Sequence, residues 1–238
     1  MTEVRDLLAV PARPFAWPLL GPAAPDTCAL VVIDMQVDFV NSGGWFASMG
    51  FNLAGIQAIV PVLQGVLRSA RAVPGLTVIH TRQGNAPDLS DLPPAKLEQS
   101  RRAGIPYGHR GPHGRGLVRG ESGWELIEEL RPAPGEFVID KPGFSAFADT
   151  SLGTLLTGRG IRSLVLTGVT ANVCVLATLY GAIDRGYDCV TVGDAIAGAD
   201  PASVETVLGL IRYQAGLLGA VTEATTLATA FGAATDDL

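Results

Sequence analysis

Apolar residues along this chain gather in short unbroken runs, not in alternating ones. CALVVID ends at Asp34, LTVIH at His80, EFVID at Asp140 and RSLVLTG at Gly168. Continuous β-branched runs of this kind suit strands covered on both faces. CVTVGDA, starting at Cys189, adds a fifth strand and LLGAV, near Leu217, a sixth. Helical patterns lie between several of them, over 53–72, 152–159, 172–185 and 202–215, each long enough for a crossover. Strand and helix therefore alternate, which predicts an α/β fold with three layers: a mostly parallel sheet and helices on both faces.

The interval 81–120 breaks this rhythm. It is rich in Gly, Pro, His and Arg, shows no sustained period, and holds seven Lys/Arg against the three acids Asp88, Asp91 and Glu98. A loop insertion this long in one domain is functional or interfacial, or packs against a sister subunit.

Composition narrows the classes. With 47% hydrophobic and 17% charged residues over 238 positions, the chain can bury one core and reads as a single domain, 1–238, with an extended amino-terminal arm over 1–25. A formal net charge of -6 gives no general attraction to nucleic acid or anionic membrane, so a small molecule is the expected partner. Three cysteines, Cys28, Cys174 and Cys189, form no C-x-x-C pair and fit a reducing cytoplasm. The amino-terminal residues carry acids and no continuous apolar stretch of signal-peptide type. The uncharged segment 164–183 contains three threonines, Asn172, Gly168 and Gly181, and reads as strand, turn and helix instead of a membrane span.

In open α/β sheets ligands bind beyond the carboxyl ends of the strands. There the first strand delivers Asp34, the third is followed by Lys141, and the fourth runs through Gly168 into Thr170-Ala171-Asn172-Val173-Cys174. An acid, an amine and a thiol emerge on one edge. In the first turn of a helix, free N–H groups and the dipole favour a negative sulfur, and an ammonium adds to this, so a Cys174 pKa below the ordinary value of about 8.5 is expected. The same N–H groups can hold an oxyanion, while Asp34 can take the thiol proton and pass it to a leaving amine. Arg82 and Gln83 follow the second strand toward the same edge, Phe39 or Trp45 can cover a planar ligand, and Gln214 offers both donor and acceptor.

Other motifs carry less. His109 and His113 have i, i+4 spacing but enclose Gly111 and Pro112, so a helical metal pair is not expected. His80 reads as a structural residue. GFSAF around Ser145 starts like a nucleophile elbow but ends in Phe147, and GPHGRGLVR is not placed as a dinucleotide fingerprint. No metal and no cofactor is expected.

VVIDMQVDF, IDKPGFSAF and LTGVTANVCV resemble, in order, the three signature segments of the isochorismatase-like cysteine hydrolases. This superfamily includes nicotinamidases, N-carbamoylsarcosine amidase, ureidoacrylate amidohydrolases and biuret and triuret hydrolases. The likeness runs from about Trp17 to Ala228. It implies a triad of Asp34, Lys141 and Cys174, a cis peptide between Val169 and Thr170, and an oxyanion hole from the Thr170 and Cys174 amides. FAWPLL, GGWFASMGFNLAGIQ, HTRQGNAPDLSDLPPAK and RYQAG are most similar to the biuret and triuret hydrolases. Many relatives place an arginine two residues after the lysine, where this chain has Gly143 and then Phe144, which implies a less polar pocket. The Asp-x-His metal motif of nicotinamidases is missing from 85–91.

The expectation is thus a six-stranded sheet in order 3-2-1-4-5-6 carrying a cysteine amidohydrolase of small linear amides or ureides. It would act through a Cys thioester with release of ammonia. A biuret- or triuret-like substrate leads, and a ureidoacrylate- or N-carbamoyl-type substrate is the alternative. By resemblance the assembly is a homotetramer. Two other readings stay open: a catalytically silent protein that binds a metabolite or other copies of itself, and vinyl-ether hydrolysis independent of Cys174.

Overall fold

A computed structural model describes residues 7–232. Six parallel strands form the central sheet: β1 (Cys28–Ile33), β2 (Thr77–Gln83), β3 (Phe137–Lys141), β4 (Ser163–Val169), β5 (Asp188–Ala197) and β6 (Ala220–Thr222). Their spatial order is β3-β2-β1-β4-β5-β6, as the sequence leads one to expect. The order reverses between β1 and β4, so the chain ends of these two strands bound a crevice.

The unbroken apolar runs are explained by burial on both faces. Leu30, Val32, Val165 and Val190 point into one core against α1 (Ala54–Ala72), which presents Ile56, Ile59, Leu63, Val66, Leu67 and Ala70 as a helical stripe. Ala29, Val31, Ile33, Leu164 and Leu166 point into the other core, against α3 (Leu152–Gly158), α4 (Leu176–Ile183) and α5 (Pro201–Gly216). A short helix, α6 (Ala224–Ala230), closes the α1 side. No helix among the described residues is long and apolar enough to cross a membrane.

Four local departures from the sequence expectation have physical causes. β2 continues past His80 to Gln83, through the buried polar residues Thr81 and Gln83, so no apolar run announces its end. The interval 81–120 contains α2 (Pro94–Arg102), whose sequence PAKLEQSRR has no apolar stripe to announce it; only Ser100 is buried. The helix over 202–215 ends early, since Gln214 and Ala215 adopt left-handed φ values of 48° and 59°. The amino-terminal arm doubles back, pairing Val10 with Trp17 and Arg13 with Val221, and buries Trp17 fully with its indole N–H on the Asp188 carbonyl at 3.2 Å. Residues 1–6 of that arm lie outside the described residues.

Two contacts fix the strand ends that matter. Gly168 sits opposite Ile33 at φ 101°, and a Cβ there would lie 2.1 Å from the Ile33 carbonyl oxygen. Only glycine lets the strand leading to Cys174 approach the strand leading to Asp34 this closely. At the other side, Glu136 precedes β3 and bonds to His80 Nε2 at 3.0 Å and to Arg71 Nε at 2.7 Å, which clamps the edge strand to β2 and α1. Burial alone would raise the Glu136 carboxyl, but its bonds to His80 and Arg71 outweigh this and bring it down from 4.5 to about 2.

Gly168→Ala should lower stability by about 3 kcal/mol or more, a drop of roughly 10 °C in Tm measurable by calorimetry. Glu136→Gln tests the clamp. A carboxylate with a depressed pKa stabilises the fold above its unfolded value and loses that contribution as pH falls through its folded value. The difference between wild type and Glu136→Gln, about 1–3 kcal/mol in urea unfolding at neutral pH, should therefore shrink between pH 4.5 and about 2.

Candidate active site

Asp34 is the first residue after β1 and takes φ 51°, a left-handed conformation uncommon outside glycine and tolerated by Asp. Its backbone N–H is held by the Thr81 carbonyl and hydroxyl oxygens, each at 3.2 Å, and the Thr81 hydroxyl donates to Asp34 Oδ1 at 2.6 Å. The turn thus aims the carboxylate and leaves Oδ2 for other work. Lys141 Nζ lies 2.8 Å from Oδ2, with both side chains fully buried. The ammonium also donates to the carbonyls of Gly143 and Phe144, at 3.0 and 2.9 Å. A buried ion pair is costly to desolvate, and these carbonyls and the threonine are the compensation.

Lys141 belongs to the edge strand, two strands from β1 and three from β4. It reaches the centre because the pleat is in register: Gln83 pairs with Lys141, and Ile33 pairs with both Thr81 and Gly168. Alternate residues share a face, so Thr81, Gln83 and Lys141 point together. Arg82 and Asp140 point the other way. Arg82 bonds Asp140 at 2.8 Å and Glu125 at 2.7 Å and stacks on Trp124 at 3.6 Å, turned away from the triad. Of the two adjacent candidates on β2, the structure brings in Gln83 and not Arg82.

Cys174 lies in a wide π turn, Ala171–Val175, that opens α4, where the sequence suggests an ordinary helix start. The Val173 and Val175 amides both return to the Thr170 carbonyl at 3.1 Å, and the Val169–Thr170 peptide is cis. The Cys174 thiol donates to Gln83 Oε1 at 3.2 Å. Gln83 is held in turn by Gln36, whose Oε1 accepts its backbone N–H at 2.8 Å, and its amide donates to the Tyr107 hydroxyl at 3.4 Å.

The electrostatics correct one expectation. Instead of a depressed thiol pKa, burial pushes Cys174 up to about 12; Lys141 pulls it down, but Asp34 pushes it up again. The helix start and the ammonium are present, yet a carboxylate already occupies the cation. For Lys141, burial favours the neutral amine, and the Asp34 carboxylate leads the contacts that reverse this, raising its pKa.

The remaining candidates fall elsewhere. Phe39 is buried in an aromatic cluster, edge-on to Trp45 and Phe46 at 6.1 and 4.9 Å. Trp45 stacks on Tyr107 at 5.7 Å, so this cluster reaches the site through Tyr107. Gln214 is exposed at the kinked end of α5 beside Tyr213. His80 is the buried partner of Glu136 described above, and no group of three or more potential metal ligands occurs among the described residues.

Sequence reasoning missed Thr81, Gln36, Tyr107 and Lys96. Thr81 was within reach, since it shares the pleat of Gln83 once β2 is drawn to its true end. Tyr107 and Lys96 come from the interval without period, where nothing local marks them. Lys96 lies beside the Gly143 turn, where its Nζ donates to the Pro142 carbonyl at 2.7 Å.

Comparison with known proteins agrees with this geometry. The isochorismatase domain model matches residues 28–226. A ureidoacrylate amidohydrolase, RutB, of Azorhizobium caulinodans is 32% identical over 199 residues, 82% of this chain and 86% of that protein. Among solved structures, an isochorismatase family protein from Desulfovibrio vulgaris aligns with a TM-score of 0.70 at 31% identity, over 87% of this chain and 98% of its own. A cysteine hydrolase from Pseudomonas syringae aligns with a TM-score of 0.74 at 25% identity, covering 94% and 97%. With a fold, a strand order and a domain match that span most of its length, the chain belongs to the isochorismatase family.

Proposed function

We propose that this protein is a cysteine amidohydrolase that cleaves the C–N bond of a small linear ureide or amide, with Asp34, Lys141 and Cys174 as the catalytic residues. The observation that carries the reading is the fully buried Asp34–Lys141 pair, 2.8 Å apart, with the Cys174 thiol beside it. Purely structural burial of three such groups would be an expensive way to fill a core.

The charge balance dictates the chemistry. One ammonium can neutralise one anion, so the buried site holds either Asp34 carboxylate with a neutral thiol or a protonated Asp34 with a thiolate. We take the first state as the resting one, because Lys141 is already paired with Asp34 at 2.8 Å and burial pushes the thiol pKa up. Nucleophile activation therefore takes place within the encounter: as sulfur attacks the carbonyl carbon, its proton passes to Asp34. The carbonyl oxygen becomes an oxyanion, received by the Thr170 and Cys174 backbone amides. On collapse the C–N bond breaks, Asp34 returns the proton to the leaving nitrogen, and ammonia or an amine departs, leaving a thioester. Water then adds to the thioester with its proton taken by Asp34; the C–S bond breaks and the sulfur recovers the proton. Lys141 stays charged throughout and holds whichever partner is anionic.

Gln83 bonds the Cys174 thiol and Tyr107 bonds Gln83, and together they offer the kinds of donor and acceptor group that a planar ureide needs. The relatives named as ureidoacrylate amidohydrolases favour a ureide substrate, and the biuret-like segments point to the same terminal carbamoyl-nitrogen grouping.

Cys174→Ala should fold and show no ammonia or amine release from a panel of small ureides and amides. Rapid quenching of wild type with a turned-over substrate should give a Cys174 acyl adduct by mass spectrometry. Release by the Cys174→Ala protein would remove the proposal and point to the vinyl-ether type of chemistry. Asp34→Asn separates thiol acidity from catalysis. Removing the carboxylate removes a cause of the raised thiol pKa, so Cys174 should react faster with iodoacetamide at pH 7.5 while turnover falls at least about 10³-fold. A slower alkylation in Asp34→Asn would contradict the shared-proton account.

A further inference from the structure

The turn that follows Lys141 carries a second ammonium that the mechanism above does not use. Lys96, from α2, places Nζ 2.7 Å from the Pro142 carbonyl, while Lys141 binds the next two carbonyls, of Gly143 and Phe144. Two cations thus share one three-residue turn. They differ in company. Lys141 is paired with Asp34, whereas Lys96 makes no ion pair among the described residues, and Asp91, an acid close enough to act on it, is engaged with Arg119 at 2.8 Å.

Its surroundings are built for a cation with a free side. The ammonium lies 4.8 Å from the Phe144 ring and 5.4 Å from the Tyr107 ring, and aromatic faces favour positive charge without neutralising it. Of three N–H donors one is taken by Pro142. Tyr107 links Lys96 to the reacting sulfur through one intermediate, since its hydroxyl bonds Gln83 and Gln83 accepts the Cys174 thiol. With Lys141 and Asp34 cancelling and the thiol neutral, Lys96 leaves the site with one uncompensated positive charge. Burial and the neighbouring Lys141 both lower its pKa, while Asp91 raises it. A like-charged neighbour at a half-buried position is a cost that a bound anion would remove.

We propose that Lys96 is a specificity residue that receives a carboxylate on the substrate, so that the enzyme prefers small ureides bearing a carboxylate over neutral ones such as biuret. The inference rests on the amidohydrolase reading for its substrate frame and narrows it; the anion site itself stands on Lys96 and its neighbours.

Two measurements on Lys96→Met, with Lys96→Gln as a second variant and Lys96→Arg as the charge-preserving one, test it. The first reads the site without turnover: Cys174 alkylation at pH 7.5 by iodoacetate and by iodoacetamide, followed by peptide mass spectrometry. The rate ratio of the anionic to the neutral reagent should fall about 10-fold or more in the Met and Gln variants and be kept by Arg. The second compares kcat/KM for 3-ureidopropionate and for the neutral butylurea, and the preference for the acid should fall about 10- to 100-fold. An unchanged alkylation ratio, or an equal loss on both substrates, would overturn the role of Lys96. A lowered ratio in a protein that hydrolyses no ureide or amide would keep the anion site and remove the amidohydrolase reading.

Discussion

The ion pair between Asp34 and Lys141 is the feature around which the other parts of this structure are arranged. Two opposite charges without exposure to water are stable only when every other polar valence is met. Thr81 meets one on the acid, and the carbonyls of Gly143 and Phe144 meet two on the amine. These partners belong to β2 and to the turn after β3, so the pair fixes the geometry of three strand ends at once. The Glu136 clamp on the far side of β3 keeps the edge strand in the register that this requires.

In the proposed mechanism, the same pair sets the state of the Cys174 sulfur. A lysine beside a cysteine is usually read as a device for making thiolate, and that reading holds where the cation is otherwise unpaired. Here the carboxylate claims it first, and in the proposed mechanism the sulfur keeps its proton until a substrate carbonyl can take over the negative charge. A buried neutral thiol is also less open to adventitious oxidation and alkylation. Reactivity is thereby tied to the presence of an electrophile of the correct shape.

In the proposed function, substrate selection draws on a different part of the chain than catalysis. The triad comes from strand ends, which are the rigid part of the fold, whereas Lys96 and Tyr107 come from the 81–120 insertion. Such a division would let a common chemical centre serve different amides by changes in a segment outside the central strands. Arg82 marks the boundary between the two: it is adjacent to Gln83 in sequence, yet it belongs to a surface network with Glu125, Asp140 and Trp124.

Local patterns in the chain were enough to specify the sheet, its order, the helices that cover it and the strand ends bearing Asp34, Lys141 and Cys174. Unbroken apolar runs and their spacing are local properties, and the three signature segments sit on them. Packing in three dimensions settled everything that depends on which side of a pleat a residue occupies or on what a distant segment brings near. It chose Gln83 over Arg82, drew Tyr107 and Lys96 in from a segment without period, and left Gln214 on an exposed, kinked helix end. It also reversed the expected direction of the Cys174 pKa, because the charge on a buried group is set by the sum of its neighbours, and that sum is not written in any one stretch of the chain.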